Sequence, residues 1–319
     1  MTLVALARNP VPSGAMAGLF QGYDGTPLRY ARWRETTGAC RGTVVVVPGR
    51  TEFIEKYFET VADLRRRGFA VAIMDLRGQG GSKRLLDNPL KGHVRHFRDY
   101  DYDLALFMKE VVLANMPKPY LALGHSLGGH ILLRIAGVSE CPFERIIVTG
   151  PMVKIAPEQL KVPEAVARTF VEIAGGIGFL TPFVPFARKG PTALIPFENN
   201  ELTSDAERYA RAAAVVAAAP ELALGSPTIG WLRAALRSCA LLAAPDYPSR
   251  IRVPILMAAA GRDTIVSTQA IEDFVPRMKL GTLALIGPSR HEILQENDEI
   301  RGRFWASFDA YTEAIKAAA

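Results

Sequence analysis

Hydrophobic residues along this chain fall into two alternating rhythms. Thr43-Val-Val-Val-Val47 is a continuous β-branched run, the pattern of a strand covered on both faces. It stops at Pro48-Gly49-Arg50, and apolar residues then recur at helical spacing from Phe53 to about Arg67. Residues 69–75 predict the next strand, 76–97 a long loop rich in glycine and charge, and 99–116 a second helix. Tyr120 to Leu123 is a short apolar strand, and Glu144 to Gly150 another. Upstream, residues 18–34 alternate apolar and polar positions around Asp24-Gly25, a strong hairpin signal.

After Gly150 the alternation breaks for about ninety residues. Seven prolines fall between Pro151 and Pro196, which predicts short helices and turns. Residues 171–187 are apolar with almost no charge, and Glu207 to Ala219 is an alanine-rich helix. The strand–helix rhythm resumes with a strand over 253–260, a helix from Thr268 to about Arg277 and a strand over 280–286. A loop over 287–291 and a closing helix from Glu296 to about Ala317 follow. The predicted fold is α/β, a mostly parallel central sheet of about eight strands with helices on both faces. Residues 1–150 and 247–319 form this domain, and 151–246 is a helical lid inserted after the sixth strand.

Composition narrows the picture in three ways. Three cysteines, Cys40, Cys141 and Cys239, are widely spaced and odd in number, which argues against a disulfide framework or a zinc site. The first ten residues lack a basic region and a long apolar core, so no secretory signal is expected, and no run is long enough to span a membrane. A cytoplasmic protein is expected. The net charge of +6 is compatible with peripheral contact with an anionic inner membrane face. No nucleic-acid partner is expected, because the basic residues are scattered. The one cationic run, Arg65-Arg66-Arg67, ends a helix, where cations meet the negative end of its dipole.

The chemistry centres on Gly124-His125-Ser126-Leu127-Gly128-Gly129, between an apolar strand and a helical pattern. Gly-x-Ser-x-Gly in that context is a nucleophile elbow. Small residues two positions either side of the serine let strand and helix backbones pass closely. The serine hydroxyl then stands above the sheet edge, and the Leu127 N–H faces the place where an oxyanion would form. A serine hydroxyl needs a base, and the base needs an orienting acid. Of five histidines, His93 and His96 lie in a long loop, His125 lies within the elbow itself and is expected to point elsewhere, and His130 is on the helix after it, read as a packing or surface residue. Only His291 follows both elbow and helix, in the loop after the last strand. Asp263 follows a strand end, the usual place for a functional loop residue, whereas Asp246 precedes a strand and Asp273 lies inside a helix. The candidate catalytic set is therefore Ser126, Asp263 and His291. Backbone N–H groups of Leu127 and Arg50 are the candidate oxyanion donors; Pro48 has no N–H and Gly49 makes the turn.

Three other patterns suggest ligands and fail on spacing. Asp99-x-Asp101-x-Asp103 with Glu110 has Leu104 where a calcium loop requires glycine. Gly78-Gln-Gly80-Gly81 lacks the third glycine of a dinucleotide fingerprint and opens no helix. His291-Glu292 begins like a metalloprotease helix but has Gln295 at the second ligand position. No metal and no cofactor is expected.

Together these stretches resemble the α/β-hydrolase superfamily, in particular its monoglyceride-lipase-like branch and, more closely, bacterial lysophospholipases. The matching segments are Val45 to Tyr57, Asp75 to Ser82, Arg84-Leu-Leu, Gly92-His93-Val94, Phe97 to Tyr100 and the elbow. Pro196 to Thr203, Pro227-Thr228 with Trp231, Gly261-Arg-Asp263 and His291 to Leu294 complete the set. One departure is that much of the family has His-Gly where this chain has Pro48-Gly49, so a contact made by that histidine is not carried over. The resemblance implies an α/β-hydrolase fold and a serine carboxylester hydrolase for single-acyl lipids, lysophospholipid or monoacylglycerol, acting through an acyl-serine intermediate. Phe179, Phe183, Phe186 and Trp231 of the expected lid are candidate substrate-binding residues. Dehalogenases and epoxide hydrolases of this fold use aspartate where this chain has Ser126. A small-ester esterase, a peptidase acting near an N-terminus and a non-catalytic binding protein of the same fold are the alternatives.

Overall fold

The protein was described from a computed structural model covering residues 2–36, 38–138 and 140–315. Eight strands, β1 (Met16–Gln21), β2 (Pro27–Trp33), β3 (Thr43–Val47), β4 (Ala70–Met74), β5 (Tyr120–His125), β6 (Arg145–Thr149), β7 (Ile255–Ala260) and β8 (Gly281–Ile286), form one sheet. Their order is β1-β2-β4-β3-β5-β6-β7-β8. β1 and β2 form the expected hairpin, closed by hydrogen bonds between Gly22 and Thr26 and between the Thr26 N–H and Asp24 Oδ1. β2 joins β4 antiparallel, and every later pairing is parallel.

Alternate residues of the central strands feed two separate cores. Val45, Val47, Ala72, Ala122 and Val148 pack on one face with Leu104, Phe107, Ile131 and Leu132. Val44, Val46, Val71, Leu121 and Ile147 pack on the other with Val61, Leu64, Phe304 and Phe308. Helices on both faces are why β3 and β5 are buried throughout rather than at alternate positions. The six strands β3–β8 run in one direction, so the loops after Val47, Met74, His125, Thr149, Ala260 and Ile286 meet at one edge of the sheet.

Element positions follow the sequence pattern closely, with two informative differences. The expected 99–116 helix is α-helical over Arg98–Phe107, then widens into a π-helical stretch, Met108–Val112. Periodicity cannot distinguish one extra residue per turn there. In the proline-rich segment, helix Glu164–Gly176 runs for 13 residues, because no proline falls between Pro163 at its N-cap and Pro182. Helices Ala206–Ala218 and Ile229–Ala243 complete the larger elements between β6 and β7. The closing helix is Asp298–Thr312; its expected end near Ala317 lies outside the described residues.

Charged residues inside the fold are tied to one another rather than to solvent. Arg29 on β2 reaches Asp75 after β4 with Nε at 2.6 Å and clasps Glu55 with both terminal nitrogens at 2.8 and 2.7 Å. Asp75 also accepts from the N–H groups of Ile54 and Gly81, so one carboxylate fixes the starts of two loops. The acids of the apparent calcium pattern have other partners: Asp103 pairs with Arg77, Asp101 with Arg134, and Asp99 accepts from the His96 N–H. In the basic run, Arg65 donates to the Arg34 carbonyl, Arg66 pairs with Asp63 and Arg67 with Asp309.

Removing one partner of a buried ion pair leaves the others uncompensated, at a typical cost of about 3–5 kcal/mol. Arg29→Met should therefore lower unfolding free energy by about that amount in urea denaturation, since it strands Glu55 and Asp75 together. A loss below about 1 kcal/mol would show that the clasp is dispensable.

Candidate active site

The site begins where β5 ends. Ser126 has φ 50° and ψ −111°, a left-handed conformation that carries steric cost for any residue with a Cβ. The surrounding backbone holds it there. The Ser126 N–H donates to the Thr149 carbonyl at 3.0 Å, and its own carbonyl accepts from His130 at 2.9 Å and Met152 at 3.1 Å. The two flanking glycines are sterically required: a Cβ at Gly128 would collide with the Val47 carbonyl, and one at Gly124 would meet Leu132 and the Gly128 backbone. Helix Leu127–Ala136 starts directly after the serine, as the motif predicts.

His291 and Asp263, 28 positions apart in sequence, meet with Nδ1···Oδ2 at 2.7 Å. The other Asp263 oxygen accepts from the N–H groups of Ile265 and Val266 at 2.9 and 3.0 Å, which fixes the carboxylate in its plane. Gly150, at φ 49°, ends β6 against this pair; a Cβ there would stand 3.3 Å from His291 Nδ1. Burial disfavours the His291 cation, but the Asp263 carboxylate outweighs it, and the histidine pKa is raised above 6.5. Burial likewise works against ionised Asp263, yet the His291 charge and the hydrogen bonds hold its pKa below 3.8.

Beneath His291 lies a charged cluster that sequence reasoning did not identify as functional. The His125 ring sits 4.8 Å from that of His291, and burial pushes its pKa down to about 4, so it is neutral near pH 7. Glu52, His125 and Glu292 bring ligand atoms within 4.8 Å of one another. The positive charge at their centre is the Lys56 ammonium, 3.1 Å from Glu52 and 2.5 Å from Glu292. Burial alone would raise the Glu52 pKa; Lys56 reverses this and keeps it lowered. Glu52 accepts from the Gly49 N–H, and Gln79 donates to the Gly49 carbonyl at 2.6 Å. The Pro48-Gly49-Arg50 turn is thus held from both sides. The only sequence signal was the i,i+4 spacing of Glu52 and Lys56, indistinguishable from an ordinary helix-surface pair.

The remaining histidines have structural partners. His130 is buried, with Nδ1 2.7 Å from the Met152 carbonyl and Nε2 2.6 Å from Ser238 Oγ. His93 bonds to Thr228 Oγ1 at 2.8 Å, joining the long loop to the segment before β7, and His96 is exposed. Asp246 is an exposed partner of Arg250, and Asp273 accepts from Gln269, so neither joins the site.

The structure separates the four candidate aromatics. Trp231 is buried against Phe97, with the Arg50 guanidinium over its ring, and Phe183 is partly buried beside Lys91. Phe179 and Phe186 are exposed, the latter at 84%. Val166, Phe170, Ile173 and Ile177 on helix Glu164–Gly176 and its end are exposed as well. The opposite face of that helix, Ala167, Val171 and Ala174, packs on Ile229 and Leu236.

An eight-stranded, mostly parallel sheet with a strained serine at a strand-to-helix turn defines an α/β-hydrolase. Residues 38–298 match the family described as serine aminopeptidase, S33, and the chain belongs to it. It is 32% identical over 295 residues to lysophospholipase L2 of Escherichia coli K12, covering 88% of this chain and 83% of that protein. It is 27% identical over 277 residues to a probable lysophospholipase L2 of Haemophilus influenzae, covering 86% and 84%. Among solved structures, a soluble variant of monoglyceride lipase from Saccharomyces cerevisiae superposes with a TM-score of 0.71 at 19% identity, over 94% of this chain and 97% of that one. Among the described residues, no helix is long and apolar enough to cross a membrane.

The strain at Ser126 yields a test independent of catalysis. A left-handed non-glycine residue costs about 1–3 kcal/mol, while glycine loses about 0.5–1 kcal/mol of chain entropy on folding. Ser126→Gly should therefore be more stable than Ser126→Ala by about 1 kcal/mol in chemical denaturation. A glycine variant no more stable than the alanine variant would mean the turn is relaxed.

Proposed function

We propose that this protein is a serine carboxylester hydrolase acting on single-acyl lipids, lysophospholipid or monoacylglycerol, with Ser126, His291 and Asp263 as its triad. The observation that carries the reading is the 2.7 Å His291–Asp263 pair at the same sheet edge as the strained Ser126, in a chain 32% identical to lysophospholipase L2. Asp263 Oδ2 accepts a hydrogen bond from the Nδ1–H of His291, which leaves Nε2 free to act as base. In the proposed reaction, Ser126 Oγ attacks the ester carbonyl carbon as its proton passes to His291 Nε2. The backbone N–H groups of Leu127 and Arg50 receive the oxyanion, each such donor typically contributing about 2.7–4 kcal/mol in the transition state. Collapse breaks the carbonyl–alkoxy bond, and His291 returns the proton to the departing glycerol oxygen. Water, deprotonated by the same histidine, then releases the fatty acid. The route uses no metal or organic cofactor.

In this reading the segment 151–246 is a lid, and residues 1–150 with 247–319 are the catalytic domain. The exposed stripe of Val166, Phe170, Ile173, Ile177, Phe179 and Phe186 is the surface that meets lipid. An apolar stripe left open on a helix whose other face is already packed favours a lipid-facing role, and exposed Lys161, Arg188 and Lys189 flank it with positive charge. Peripheral contact with an anionic membrane is the role proposed for that surface, with the cytoplasm as the proposed location. Peptidase activity is the second reading, favoured by the family description as serine aminopeptidase.

The substrate reading is tested by a panel of single- and two-chain glycerolipids, short aryl esters and aminoacyl amides. Single-acyl lipids should be preferred, rising with chain length by about 0.8 kcal/mol per buried methylene until the pocket is full. Ser126→Ala should abolish turnover and fluorophosphonate labelling alike. Alanine at Phe179, Phe183 or Phe186 should weaken action on vesicle-borne substrate. Preference for short esters with no effect of the phenylalanine changes would replace the lipid reading with a small-ester esterase, and preference for amides would make it a peptidase.

The raised His291 pKa fixes the direction of the pH dependence. A base must be neutral, so kcat/KM should fall as pH drops through a pKa above 6.5. Asp263→Asn removes the anion that raises it, and burial then dominates. The acidic limb should move to lower pH while the maximum drops by up to about 10⁴-fold. An unmoved limb would separate Asp263 from His291 in the mechanism.

A further inference from the structure

The Arg50 side chain is the feature near the site that the proposed chemistry leaves unused. Its guanidinium is partly buried beside Trp231, 5.7 Å from the ring centroid, and Nη1 donates to the Gly225 carbonyl at 2.9 Å. A guanidinium carries five N–H donors, so one is engaged. Among the described residues no carboxylate lies within ion-pair distance of it, and neither Nε nor Nη2 has a protein partner. These nitrogens are not sealed off from solvent either. The contrast with other arginines in the fold is sharp. Arg29, Arg77, Arg208 and Arg301 face carboxylates, and Arg84 spends its nitrogens on five backbone carbonyls. Burial without an anion holds the Arg50 pKa down to about 10.

The position of this cation suits one ligand. The turn that carries it lies against the elbow: a Cβ at Gly49 would meet the His125 ring, and one at Gly128 the Pro48 carbonyl. The guanidinium carbon stands six bonds from the Arg50 backbone nitrogen. In a 1-acyl glycerophospholipid, phosphorus also stands six bonds from the ester carbonyl carbon, and either run spans about 7 Å when extended. An ester held at the backbone N–H of Arg50 would therefore carry its phosphate within reach of the same residue's side chain.

We propose that the Arg50 guanidinium is the receptor for the phosphate of a single-acyl glycerophospholipid, and that it selects such lipids over neutral monoacylglycerols. The inference rests on the reading of this protein as a single-acyl lipid hydrolase. Arginine suits the task because its planar fork donates two parallel, charge-assisted hydrogen bonds to phosphate oxygens. The Gly225 carbonyl holds one arm and leaves Nε and Nη2 without protein partners among the described residues. The Trp231 ring holds the cation through its π face, which leaves the hydrogen-bond donors of Nε and Nη2 for an anion.

The test compares kcat/KM for 1-acyl lysophosphatidylethanolamine and for a monoacylglycerol of the same chain, in wild type, Arg50→Lys and Arg50→Met. The readout is the ratio of the two, which cancels any loss from disturbing the turn. Arg50→Met should lower the phospholipid-to-glyceride ratio by about tenfold to a hundredfold, and Arg50→Lys by less, since lysine keeps the charge but not the fork. A measurement on wild type alone supports the variants: sn-glycerol 3-phosphate should inhibit aryl-ester hydrolysis at concentrations where glycerol does not. A ratio within about threefold of wild type in Arg50→Met, or equal inhibition by the two glycerols, would overturn the proposal and leave Arg50 as a clamp on Gly225. Wild type that hydrolyses neither lipid would instead remove the lipid reading itself, a result that turnover of the monoacylglycerol distinguishes from failure of the Arg50 assignment alone.

Discussion

A close backbone approach at the elbow governs the site. At Gly128 the first turn of the elbow helix runs so near the end of β3 that a side-chain carbon would overlap the Val47 carbonyl. There the chain reverses within one residue after β5, with Ser126 in the left-handed conformation. The same approach brings the Pro48-Gly49-Arg50 turn against the elbow. Strain at one residue is tolerated because both of its peptide groups are hydrogen-bonded to neighbouring backbone.

Around this junction the protein places buried charges in closed groups. Arg29 answers Glu55 and Asp75; Lys56 answers Glu52 and Glu292; His291 answers Asp263. Such groups contribute little net stability, because desolvation offsets their attraction. What they supply is position. Each joins a loop to a loop: Asp75 holds the N–H groups of Ile54 and Gly81, and Glu52 holds that of Gly49. Loops at the edge of a parallel sheet have few apolar contacts, so ionic and backbone hydrogen bonds do the work that packing does elsewhere. Arg50 departs from this rule, with one carbonyl contact and, among the described residues, no carboxylate.

The segment between β6 and β7 follows a different logic. Helix Glu164–Gly176 packs Ala167, Val171 and Ala174 inward, yet leaves Val166, Phe170 and Ile173 exposed on the other side. A helix apolar on both faces is normally buried on both. Its small residues fill the tight seam with helix Ile229–Ala243, and its large ones face out, the reverse of an arrangement built only for core stability.

The sequence alone determined most of the architecture, because the two periodicities that mark a strand covered on both faces and a helix covered on one are local properties of the chain. Gly124-x-Ser126-x-Gly128 was legible for the same reason: the motif is a steric requirement written into five consecutive residues. His291 and Asp263 were legible by elimination and by their place after strand ends, while their 2.7 Å contact depends on bringing the β7 and β8 loops together. The cluster of Glu52, Lys56, His125 and Glu292 was decided by tertiary structure, as were the outward faces of Phe179 and Phe186. In sequence, Glu52 and Lys56 look like a surface helix pair, and nothing local marks which of the lid phenylalanines face outward. Whether a charge is buried, or an aromatic exposed, depends on which distant segment covers it, and no local pattern carries that information.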